Sequence, residues 1–373
     1  MAIAFVNARV LTVDGFRDDV AVLVERDVIA DVVAANDPRV RDADARDLGG
    51  DYLVPGFIDC QVNGGGGVLF NDAPTVDTIR RIGEAHRRFG TTGFLPTLIS
   101  DDADVMRAAI EAVDTAIADG VPGVLGIHLE GPYLAPARRG VHDAEKFRVP
   151  DSHEIDLVSS LRNGKTVLTI APERVPTESI RELTRRGVIV CAGHTAATYD
   201  EMRAGLDAGV RGFTHLYNAM SPLTSREPGA VGAALDDSSS WCGIVVDGWH
   251  VHPASLRVAL AAKARGKIFL VTDAMPPVGA DTDTYTLGGV TITCRNGRCE
   301  TPDGVLAGSA LDMATAVRNS VATLGVDLAE AVRMASTYPA DFLGLASHGR
   351  IARGCRAEFV VMDRELRARA IAR

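Results

Sequence analysis

The chain has 373 residues, of which 46% are apolar, and a formal net charge of −10. That length exceeds one ordinary compact domain but suits a barrel of about 250 residues with a smaller module beside it. The negative charge argues against nucleic acid or an anionic membrane as the main partner, and an anionic small molecule would need a local cationic pocket. No run approaches the roughly 18 apolar residues of a membrane span, and no basic region precedes an apolar stretch at the start. The expected location is therefore cytoplasmic.

In chain order, residues 1–50 read as β structure: Ile3 to Val13, Val20 to Glu25 and Val28 to Val33, with turns at Asp14-Gly15 and Arg26-Asp27. Tyr52 to Asp59 reads as one strand leading into the glycines 64–67. Strands and helices then alternate. Seven further apolar runs are Gly93 to Leu98, Val124 to Glu130, Thr166 to Ala171, Val188 to His194, Gly212 to His215, Cys242 to Val246 and Ile268 to Asp273. Helical patterns lie between them at Val76 to Phe89, Asp104 to Asp119, Ser179 to Arg186, Tyr199 to Ala208 and Pro253 to Arg265. Alternation of this kind implies parallel strands with right-handed crossovers. A hairpin from Tyr285 to Glu300, helices from Leu311 to Leu324 and Leu328 to Thr337, and a strand from Arg356 to Asp363 complete the chain. The expected fold class is α/β, a (β/α)8 TIM-like barrel over 51–345. A small β-sandwich domain would form from both termini, 1–50 and 346–373.

Four apolar runs end in a polar residue: Glu130, His194, His215 and Asp273. The carboxyl ends of barrel strands are where such folds keep their chemistry. Two His and one Glu form a zinc-type ligand set, and a nearby Asp can serve as base. A lone buried His is more often a core residue, but three candidate ligands at one barrel face shift that balance. Asp273 could alternatively cap a helix.

In Asp247-Gly248-Trp249-His250-Val251-His252, one His could polarise a carbonyl, His250 first because it is nearer the strand end, or one or both could simply cap the helix that starts near Pro253. Asn218 and Arg226 supply anion-binding groups, although an isolated Arg is usually a solvated surface residue. His128 shares the strand face of Glu130 as a core or supporting group. His142, after Arg138-Arg139-Gly140, could face substrate. His86, His153 and His348 read as surface or helix residues. Gln61 and Asn63 stand where a second metal site would need two His, and amides bind divalent ions poorly. With no Lys after the fourth strand to bridge two metals, one ion per subunit is expected. Six dispersed Cys form no CxxC pair. Cys294 and Cys299 flank an Asn-Gly hairpin signal and would face each other across two strands; a disulfide is conceivable there, with two reduced, packed thiols favoured in a cytosolic chain.

These residues bring the chain close to a known group. The segments PGFIDCQVNGGGG, FLPTLIS, GIHLEGPYL, RRGVH, APE, AGHT, THLYNAM, REPG, DGWH, LVTDA and LAGSAL make it resemble the N-acetylglucosamine-6-phosphate deacetylases of the amidohydrolase superfamily. The resemblance runs from about Val54 to Gly354. It implies hydrolysis of N-acetylglucosamine 6-phosphate to glucosamine 6-phosphate and acetate by a metal-activated water. It makes Glu130, His194 and His215 the ligands of one divalent ion, Zn2+ first and Fe2+, Co2+, Mn2+ or Cd2+ otherwise. Asp273 becomes the general base and acid, and His250 a catalytic group at the acetamide. Substrate contacts fall on Val141, His142, Asn218, Ala219, Arg226, His250, Leu306, Ala307 and Gly308. The resemblance also implies a homodimer or homotetramer with Arg226 acting across the interface. Val141 and Trp249 leave the choice between glucosamine and galactosamine substrates open. Two competing readings are an amidohydrolase for a related N-acetyl amino-sugar phosphate and a non-catalytic amino-sugar-phosphate sensor.

Overall fold

Among the N-terminal strands the run Val20–Glu25 buries both faces, one against a second sheet and the other beneath a short helix. In the computed structural model, which describes residues 2–370, these strands are β1 (Ile3–Val6), β2 (Arg9–Thr12), β3 (Gly15–Arg17), β4 (Val20–Glu25), β5 (Val28–Ala34), β6 (Asp44–Asp47) and β7 (Tyr52–Pro55). Helix α1 is Pro38–Arg41. Val20, Val22 and Val24 of β4 pack on Leu53, Phe359 and Val361, while Ala21 and Leu23 face the opposite way onto Ala4 and Val33. That two-sided burial explains the unbroken apolar run of β4, where a half-exposed strand would alternate.

The barrel strands are β8 (Phe57–Val62), then, after the short pair β9 (Gly64–Gly65) and β10 (Val68–Leu69), β11 (Thr91–Ile99), β12 (Gly126–Glu130), β13 (Lys165–Ile170), β14 (Ile189–Ala192), β15 (Gly212–Phe213), β16 (Trp241–Ile244) and β17 (Ile268–Leu270). They pair in chain order as an eight-stranded sheet, parallel throughout. The sheet closes where Val62 bridges Ala274 and Asp273 N donates to the Gln61 carbonyl at 3.0 Å. Helices α2 (Val76–Arg87), α3 (Ala103–Ala118), α4 (Ser152–Val158), α5 (Thr177–Arg185), α6 (Tyr199–Ala208), α7 (Gly229–Asp236) and α8 (Pro253–Ala262) lie between strands. α9 (Met313–Leu324), α10 (Leu328–Ala335) and α11 (Thr337–Leu343) follow the inserted sheet. This is the TIM-like barrel expected. α7, Gly-Ala-Val-Gly-Ala-Ala-Leu-Asp, is buried on nearly every residue and so has no amphipathic period to betray it.

The inserted sheet runs β18 (Thr284–Leu287), β19 (Val290–Arg295), β20 (Arg298–Glu300) and β21 (Leu306–Ser309). The chain ends in β22 (Phe359–Met362) and β23 (Ala368–Ala370), and β22 pairs antiparallel with β7. Both termini thus build the small sandwich.

Three local expectations need correcting. Tyr52 to Asp59 is not one strand: the chain breaks at Pro55-Gly56, β7 joins the terminal sheet and β8 starts the barrel. A β-carbon on Gly56 would lie 2.0 Å from Thr92 Oγ1, so the crossing requires glycine. Cys294 and Cys299 are not free thiols but a disulfide, with Cα atoms 4.0 Å apart and directly opposed in the hairpin register. The close facing pair in the ladder, rather than the compartment, decides this. His86 is on a helix but fully buried, with Nε2 2.9 Å from the Gly64 carbonyl.

No helix among the described residues is long and apolar enough to cross a membrane.

Candidate metal centre and active site

Glu130 is the last residue of β12, and His194 and His215 follow β14 and β15. Parallel strands in one register deliver all three to the same barrel end. His215 Nε2 is 2.8 Å and His194 Nε2 3.2 Å from Glu130 Oε1, and the two Nε2 atoms are 3.1 Å apart. Among the described residues this is the one cluster of three His, Cys, Asp or Glu side chains whose ligand atoms lie within 4.8 Å of one another. His194 Nδ1 donates to the Arg138 carbonyl at 2.8 Å, which leaves the Nε2 lone pair of the neutral ring aimed at the other two groups. Lone pairs converging with a carboxylate fit a cation between them, and a His2Glu set suits a zinc-like divalent ion.

His194, His215 and Asp273 have φ of 48°, 31° and 52°, in the left-handed region that non-glycine residues rarely enter. Backbone strain of this kind costs about 1–3 kcal/mol per residue and clusters at active sites. Gly193 permits the turn into His194, because a β-carbon there would sit 2.2 Å from Thr214 Oγ1.

Asp273 follows β17 and is 9% exposed. Burial, reinforced by the Glu130 charge, raises its pKa above the usual carboxylate value. Glu130 behaves oppositely: burial works to raise its pKa, but the adjacent His194 and His215 hold it well below the usual range. The two carboxyl groups thus have different environments, one held as the anion and the other biased toward its neutral form. His250 Nε2 is 3.8 Å from Asp273 Oδ2. Its Nδ1 donates to Asp247 Oδ2 at 2.6 Å, which fixes the ring. His252 Nδ1 accepts from Ala254 N and caps α8 instead. Beneath the site, His128 bridges Thr97 and Thr169, and burial pushes its pKa down to about 4.

The cavity above these groups is about 490 Å³, the volume of a small-molecule site. Glu130, His194, His215, Asp273, His250, Val141, His142, Asn218, Ala219, Leu306 and Gly308 all border it. Ser100 N donates to His142 Nδ1 at 3.4 Å, so the neutral ring carries its proton on Nε2. Burial lowers the His142 pKa to about 3, keeping the ring neutral. Asn218 Nδ2 donates to the His215 and Leu216 carbonyls. Leu306 and Gly308 point inward, whereas Ala307 between them is buried and gives its carbonyl to the Tyr285 hydroxyl.

Arg226 is exposed and does not border its own chain's cavity. Two cations that do are Arg138 and Arg139. Their signal was the charge doublet before Gly140-Val141-His142. The sequence reading also missed Asp247 as the partner of His250, and Gln61 and Asn63 as hydrogen-bond donors to Asp273.

Residues 52–372 match the amidohydrolase family. The chain belongs to that family. It is 46% identical over 319 residues to N-acetylgalactosamine-6-phosphate deacetylase of Shewanella sp. (strain ANA-3), covering 86% of this chain and 81% of that protein. With N-acetylglucosamine-6-phosphate deacetylase of Haemophilus influenzae it shares 35% over 361 residues, 94% of each. The solved N-acetyl-D-glucosamine-6-phosphate deacetylase of Mycobacterium smegmatis superposes with a TM-score of 0.92 at 35% identity, over 100% of this chain and 98% of that one. A variant of that enzyme holding N-acetyl-D-glucosamine-6-phosphate gives 0.90 at 34%, over 99% and 98%.

Proposed function

We propose that the chain hydrolyses the acetamide of an N-acetylhexosamine 6-phosphate to the free amine and acetate. The observation that carries this is the convergence of Glu130, His194, His215 and Asp273 on one cavity. Relatives acting on two such sugar phosphates support the substrate class. They broaden the expectation of glucosamine alone. Relatives at 46% and 38% identity carry the galactosamine name, so the galacto isomer is the first substrate to test and the gluco isomer the second.

Glu130, His194 and His215 would hold one divalent ion, Zn2+ by ligand chemistry, and such an ion lowers the pKa of water toward about 7 and polarises a carbonyl. Asp273 takes a proton from the attacking water and returns it to the departing amine nitrogen. His250, its Nδ1–H held by Asp247, lies at the acetamide and steadies the oxygen's growing charge when Nε2 also carries a proton. His142 offers Nε2–H to the sugar. Remote phosphate binding fixes the ring relative to the reacting bond. Its partners are the Asn218-Ala219 turn, the cations Arg138 and Arg139, and Arg226 of a neighbouring subunit in a homodimer or homotetramer.

The test is acetate release from both N-acetylhexosamine 6-phosphates, by protein stripped of metal and then reloaded. Turnover of either, restored by a divalent ion, supports the reading. Binding of both without acetate release would instead make the protein a sensor.

A further inference from the structure

We infer that Gln61 and Asn63 are positioning residues that occupy Oδ1 of Asp273 and thereby assign Oδ2 as the atom that takes and returns the proton. The inference rests on the hydrolytic reading above and deepens it. Both amides stand at the carboxyl end of β8 and are 1% and 2% exposed. Asn63 Nδ2 donates to Asp273 Oδ1 at 2.7 Å, and Gln61 Nε2 donates to the same oxygen at 3.1 Å. Gln61 Nε2 also lies 3.3 and 3.4 Å from the two Glu130 carboxylate oxygens. Among the described residues no hydrogen bond reaches Asp273 Oδ2, which has His250 Nε2 at 3.8 Å.

The orientation of both amides follows from charge. Turning either one over would set a carbonyl oxygen against a carboxylate. In the observed orientation, Gln61 Oε1 and Asn63 Oδ1 are buried without a partner among the described residues. Unsatisfied buried acceptors are costly and call for an explanation. The explanation here is that their N–H groups are committed to carboxylates, both to Asp273 Oδ1 and that of Gln61 to Glu130 as well. Backbone bonds lock the same pairing, from Asp273 N to the Gln61 carbonyl at 3.0 Å and from Asn63 N to the Ala274 carbonyl at 2.9 Å. The clamp is therefore part of barrel closure.

Two donors on Oδ1 hold negative charge there and make it the poorer proton acceptor. Oδ2 keeps its lone pairs for the reaction. A base that must serve both the water and the amine works best with one oxygen fixed between them. Without the clamp the carboxylate could rotate and exchange the two oxygens.

The experiment compares Asn63→Leu and Gln61→Met in the parent and in an Asp273→Asn background, by single-turnover acetate release. Metal content, KM and thermal midpoint are followed alongside. In the parent, kcat should fall about 10- to 100-fold, as for loss of one charge-assisted hydrogen bond, with one ion retained and KM within about threefold. In the Asp273→Asn background the same substitutions should cost under about threefold, because a residue acting through Asp273 has nothing left to position. Equal fold losses in both backgrounds, or a parent kcat changed less than about threefold, would overturn the inference. If Asn63→Leu fails to fold, Gln61→Met carries the comparison. Additive losses in an active parent defeat only this inference, whereas a parent that releases no acetate from either sugar phosphate defeats the function and this inference with it.

Discussion

The floor and the rim of the cavity are built differently. The floor, Glu130, His194, His215, Asp273, Gln61 and Asn63, is buried and sits on strand ends or the residues just after them. The rim comes from loops and an inserted sheet: Arg138 to His142, Asn218-Ala219, and Leu306 to Gly308. Its Arg139 and Gly140 are exposed and Asn218 and Ala219 partly so. Fixed, dry groups suit proton transfer and ion binding, where an error of 1 Å is expensive. Looser, wetter groups suit recognition. Floor substitutions should therefore act on turnover, and rim substitutions on substrate choice.

The largest effect should come from His194→Ala or His215→Ala. Two remaining ligands hold an ion poorly, so metal content and activity should vanish together. Elemental analysis of the purified variant checks this, and the parent should contain one ion per chain. A reproducible second ion needed for turnover would contradict the amide pair Gln61 and Asn63.

Next is Asp273→Asn. It should keep its ion, its fold and its affinity for substrate, yet lose turnover by on the order of 10⁴-fold, since both proton transfers are removed. Residual activity within about tenfold of the parent, read by single-turnover acetate release, would place the base elsewhere.

Rim effects should be smaller and of another kind. Arg226→Ala should reduce the preference for phosphorylated over free sugar by about 10- to 100-fold, the worth of a guanidinium–phosphate contact. KM should carry most of the change. An unchanged ratio, with the same ratio collapsing in Arg139→Ala, would move phosphate binding onto the chain's own rim.

The smallest effect should follow Cys294→Ser. The disulfide closes a five-residue separation, so its loss should cost at most about 2 kcal/mol and a few degrees of thermal midpoint. Turnover should stay within about threefold. A thiol count on denatured, unreduced protein should give the four free Cys of the fold, and six would show that the hairpin is not crosslinked.

The sequence by itself determined the barrel and most of its floor. Apolar runs a few residues long, each ending in Glu, His or Asp, carry their position in their own pattern, because a parallel strand buried on both faces has little polar residue to spare before its end. Other features needed the closed tertiary structure. Gln61 and Asn63 read only as missing metal ligands, because their partner Asp273 lies more than two hundred positions away and meets them only when β8 returns beside β17. The break at Pro55-Gly56 depends on a crossing past Thr92, and α7 hides because packing covers it all round. Whether Cys294 bonds Cys299 was decided by register, and the inward turn of Leu306 and Gly308 around Ala307 by strand alternation. Local pattern encodes which residues end a strand, but the partners they meet there are long-range contacts that only closure of the barrel specifies.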